Sequence, residues 1–175
     1  MDRYKLLARA EKKINATQAA LDESSERMKE LKVKFSEVSK LNEIFAAIMW
    51  QSAQEDDTAK TIRALNQLKT SNLKVEEYAR RLYEETKLGL KLLLKHAALN
   101  LVWDVLDGAN KKTLYPRYAA NKAVFSIVIK SAEYLYNEVI EITDVLSNLE
   151  SLPAHEILEE VKKRPAPPTT NKYIQ

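Results

Sequence analysis

Apolar residues recur along the first third of the chain at alternating steps of three and four. With a and d as heptad positions, a holds Leu7, Ile14, Leu21, Met28, Phe35, Asn42 and Met49. Position d holds Ala10, Thr17, Ser24, Leu31, Val38 and Phe45. Ten of these thirteen are apolar, which predicts one long helix over residues 3–54 with a coiled-coil-like seam. The polar d positions Thr17 and Ser24 thin that seam in its first half. Near the end Leu41, Ile44 and Ile48 widen the apolar face, and Asn42 is a candidate for fixing register.

The run Gln54-Glu55-Asp56-Asp57-Thr58 reads as a turn, with Asp57 or Thr58 as the cap of a second helix over 57–107. That helix opens on Leu65, Leu68, Asn72, Val75, Ala79 and Leu82. Thr86 and Gly89 follow as a patch small enough for a neighbouring helix to come close. From Leu88 to Leu106 the apolar residues then point nearly all round, so this stretch is expected to be the buried centre of the bundle. Lipid is the poorer wrapping, because Lys91, Lys95 and Asp104 each cost about 2.5–3.5 kcal/mol at a bilayer centre. Gly108 is placed to end the helix.

After a connector, a third helix is expected over 115–150, with Pro116 in its first turn. Its a/d seam is Phe125, Val128, Ala132, Leu135, Val139, Ile142, Leu146 and Leu149. Ser151 is placed to cap a short fourth helix over 153–163, with Ile157, Leu158 and Val161 on its apolar face. No strand pattern competes. The predicted class is an all-α, elongated antiparallel bundle of three long helices and one short one. Residues 1–163 form a single domain, and 164–175 a proline-rich extended tail. The first two helices, if unbroken, measure about 75 Å each at about 1.5 Å per residue.

Composition agrees and removes several chemistries. Only two glycines occur in 175 residues, and no cysteine, which excludes thiolate catalysis, disulfides and cysteine-ligated metals. Neither His96 nor His155 is preceded at three residues by glutamate, so the helical di-metal motif is missing. There is no glycine-rich phosphate loop. The expectation is a protein with no enzymatic activity, no cofactor and no small-molecule substrate. The start carries no apolar leader, and no transmembrane segment is read, which favours the cytosol or another reducing compartment.

Charge is distributed in blocks. Residues 109–131 carry net +5, 132–161 carry −8 and 162–175 carry +4. Bases at a helix start and acids at its end oppose the macrodipole, by about 0.3–1 kcal/mol per exposed charge. Either neighbouring helices carry the complement or the basic start meets an anionic surface. Lys111, Lys112, Tyr115, Arg117, Tyr118 and Lys122 are the candidate contacts for such a surface or for a protein partner. The tail offers Lys162, Arg164, Pro165, Pro168 and Tyr173 as candidate docking residues, in a basic-x-x-Pro-x-x-Pro pattern.

Two functions fit these residues. The first is a scaffold, adaptor or assembly subunit acting through protein–protein contacts or self-association. The second is a membrane-active bundle, binding anionic lipid through the basic tip and an exposable Leu88–Leu106. A net charge of only +3 argues against nucleic acid.

Overall fold

The computed structural model describes residues 2–108 and 111–167, with residues 111–115 and 117 described by backbone alone. Four helices follow one another: α1 (Arg3–Gln54), α2 (Thr58–Leu106), α3 (Lys111–Glu150) and α4 (Ala154–Lys163). No strand occurs among the described residues. The chain divides into two compact units. The first joins Met1–Leu31 with Arg81–Tyr134, the second Lys32–Arg80 with Leu135–Gln175.

The second unit holds the main core. Met49 and Ala53 of α1, Ala64, Leu65 and Leu68 of α2, and Leu146 and Leu149 of α3 pack with Ile157 and Val161 of α4. Pairing is antiparallel: Lys69 of α2 meets Glu150 of α3, while Glu76, one heptad further along α2, meets Thr143, one heptad back along α3. The α1–α2 turn closes on Asp56, whose left-handed φ of 57° an aspartate tolerates. Asp57 caps α2, its carboxylate accepting from the Lys60 amide at 3.1 Å.

The heptad of α1 is its inward face throughout. Every a and d residue is buried or half-buried, and Ala10, Thr17, Ser24 and Val38 at d are buried. Thr17 and Ser24 therefore mark close approach where their small polar side chains had suggested a thin seam. A Cβ added to Gly89 of α2 would stand 3.3 Å from Ser24 Oγ. Thr17 satisfies its hydroxyl internally, donating to the Lys13 carbonyl at 2.8 Å.

Four expectations need correction. Leu88–Leu106 is not a buried centre: Leu90 alone in that span is buried, and Leu88, Leu93 and Val102 are exposed. Only segments of α1 and α3 accompany it in the first unit, too few to cover a helix that is apolar on every side. Helix α3 begins at Lys111, because Gly108 (φ 99°) has already ended α2 and Lys111 and Lys112 are good helix formers. Pro116 thus stands inside α3 as its sixth residue.

The seam of α3 is turned. Phe125, Ile129, Ala132, Tyr136, Val139, Thr143, Leu146 and Leu149 are half-buried or buried, whereas Val128, Leu135 and Ile142 are exposed. Ser151 does not cap α4. That helix starts after Pro153 with no side-chain cap, and the Ser151 hydroxyl donates to the Asn148 carbonyl at the end of α3.

Candidate functional site

The first unit is held by charge and close approach more than by bulk. Ser24 donates to Glu85 Oε1 at 2.7 Å, and Arg27 donates to the same oxygen at 3.1 Å. Burial alone would raise the Glu85 carboxyl, but the hydrogen bonds from Arg27 and Ser24 outweigh it and hold the group below its usual range. At the α1 start, Arg3 donates to the Leu106 carbonyl at 2.6 Å and lies 3.8 Å from Asp107. It thereby satisfies an end carbonyl of α2 and sets a cation at that helix's negative pole. Among the described residues His96 is held from within its own helix: the Asn100 amide donates to both its Nδ1 and its carbonyl, each at 3.0 Å.

Of the basic-tip candidates, Tyr118 is half-buried and Lys122 exposed. The side chains of Lys111, Lys112, Tyr115 and Arg117 lie outside the described residues. What the sequence reading did not single out is an apolar surface on α3. Val124, Ile127, Val128 and Tyr134 are exposed in the first unit, and Leu135, Ile142 and Val145 in the second. Their spacing of three and four was legible. Which columns of the helix face inward was not, because an apolar arc this wide suits several rotations.

In the second unit one polar layer crosses three helices. Asn42 Nδ2 donates to Asn72 Oδ1 at 2.9 Å, Asn72 Nδ2 donates to Thr143 Oγ1 at 2.8 Å, and Thr143 donates to Glu76 at 2.8 Å. Asn42 Oδ1 and the nearby Ser71 Oγ are buried without a hydrogen-bond partner among the described residues. Beside this layer runs an open groove of about 450 Å³, lined by Leu41, Phe45, Arg63, Ser71 and Lys74 among others.

The tail candidates begin folded back on their own bundle. Lys162 pairs with Asp56 at the α1–α2 turn, and this hydrogen bond raises the lysine's pKa despite some opposing desolvation. Trp50 Nε1 donates to the Arg164 carbonyl at 3.0 Å. Pro165 is exposed and Pro167 half-buried, while Pro168 and Tyr173 lie outside the described residues. Among the described residues no three histidine or acidic side chains gather as a metal site. Nor is any helix there long and apolar enough to cross a membrane. No protein-family model, curated protein or solved structure matches the chain.

Proposed function

We propose that this chain is a non-enzymatic helical-bundle protein that works through protein–protein contacts, as a scaffold, adaptor or assembly subunit. The observation that carries the reading is the outer face of α3. Ile127 and Leu135 are 65% and 62% exposed, and Val124, Val128, Ile142 and Val145 stand open at helical spacing with them. Isolated exposed apolar residues are ordinary, but a row of them along one helix is the form of a surface made to be covered.

An anionic membrane is the competing occupant. Helices that lie on such membranes flank their apolar face with lysine and arginine. Over its second half the α3 face instead carries Glu138 and Glu141 between Leu135 and Ile142, and anionic headgroups repel both.

A photo-crosslinking amino acid at Ile127, with exposed Asn137 as control, tests this in cells making the full chain. The expected result is a discrete protein adduct from position 127, absent from 137 and lost when Leu135→Glu is added. Adducts to lipid, or equal labelling from both positions, would overturn the reading.

A further inference from the structure

The exposed residues of α3 form a second heptad seam on a helix already packed along another face. Val124, Val128, Ser131, Leu135, Glu138, Ile142 and Val145 follow one another at alternating steps of four and three. All seven are exposed, and five are apolar. A seam of this kind calls for one more helix lying along α3.

Charge says which helix and which way it runs. Residues 111–131 hold Lys111, Lys112, Arg117, Lys122 and Lys130 and no acid. Residues 132–150 hold Glu133, Glu138, Glu141, Asp144 and Glu150 and no base. Helix α3 is therefore +5 over its first half and −5 over its second. Glu150 meets Lys69 within the second unit, while Glu133, Glu138, Glu141 and Asp144 are exposed. A helix so divided is complementary to itself when reversed. Laid parallel, it would set base on base and acid on acid.

We infer that the outer seam of α3 binds a second copy of this chain, its α3 running antiparallel about a two-fold axis near residues 131–135. This deepens the proposed function and rests on the same exposed face. With Val124 set against the partner's Ile142, Leu135 lies against the partner's Ser131 and Val128 against the partner's Glu138. Lys122 then runs beside the partner's Asp144. The arrangement is isologous, so it closes at two copies. It also accounts for a charge order that an isolated helix would disfavour, since each basic start lies along the acidic end, and the negative pole, of its partner.

The absence of cysteine gives a direct test, because one engineered thiol is the only one in the chain. Val124→Cys and Ile142→Cys are made separately and treated with a short bismaleimide, alone and mixed. In an antiparallel pair, like positions stand about 27 Å apart, being 18 residues removed at about 1.5 Å each. Cross-linked dimer is expected from the mixture and from neither variant alone. Equal cross-linking of each variant alone, or none from the mixture, overturns the inference.

Charge gives a second test by sedimentation of the full chain. Lys122→Glu with Lys130→Glu, or Glu138→Lys with Glu141→Lys, should each weaken self-association at least about tenfold, with mixing the two variants restoring it. A monomer at every concentration also overturns the inference. In that case a discrete adduct from Ile127 to a different protein would leave the proposed function standing, and loss of all protein adducts would remove both.

Discussion

Asn72 is 2% exposed and joins Asn42 of α1 to Thr143 of α3, so it is where the polar layer of the second unit is most sensitive. Asn72→Ala removes the acceptor for Asn42 Nδ2 and the donor to Thr143 Oγ1. Asn42 Oδ1 already lacks a partner, so its amide would be left with none among the described residues. A buried group stripped of its hydrogen bond costs about 1–3 kcal/mol. Thr143 still donates to Glu76 and adds less. A loss of about 2–4 kcal/mol follows, a large part of the 5–15 kcal/mol that holds a typical domain.

The same logic gives an opposite sign for a double change. Asn42→Leu with Asn72→Leu removes the amide pair together and fills the space with apolar atoms. Replacing both partners is close to neutral, whereas leaving one is not. The double variant should therefore be more stable than Asn72→Leu alone. Urea unfolding followed by tryptophan fluorescence measures this, with Trp103→Phe as background so that Trp50 reports the second unit alone. A cost below about 0.5 kcal/mol for Asn72→Ala would place it among inert surface substitutions and refute the reasoning. A double-leucine variant less stable than the single one would refute it equally.

Two further outcomes follow from the first unit. Leu90→Asp should lower stability by several kcal/mol, since Leu90 is buried, while Leu93→Glu on the exposed side of the same helix should stay within about 0.5 kcal/mol. Equal effects in thermal melts would contradict this division of α2. The lowered Glu85 carboxyl adds stability that is present above its ordinary value of 4.5 and lost as pH falls through its folded value. Glu85→Gln should accordingly flatten the acid limb of stability against pH, and an unchanged limb would show that the Ser24–Glu85–Arg27 cluster does not set it.

Period and punctuation were enough to place the helices, apart from the start of α3. The a/d residues of α1 keep one inward face because a repeat held from Leu7 to Met49 leaves a helix no second way to hide its apolar side. Asp57 and Gly108 mark ends because their local backbone chemistry works without any neighbour. Burial of Ile157 and Val161 followed from a short helix with a single apolar face.

Where apolar residues outnumber the neighbours able to cover them, only packing decided. Leu88–Leu106 is half-buried because two helix segments accompany it in its unit, and a sequence does not state how many neighbours a helix has. On α3, an apolar arc wider than one seam fits several rotations. Tertiary contact put Phe125, Ile129 and Tyr136 inward and left Val128, Leu135 and Ile142 outside. Thr17 and Ser24 show the converse: weak as hydrophobes, they are buried because helices approach closest where side chains are small.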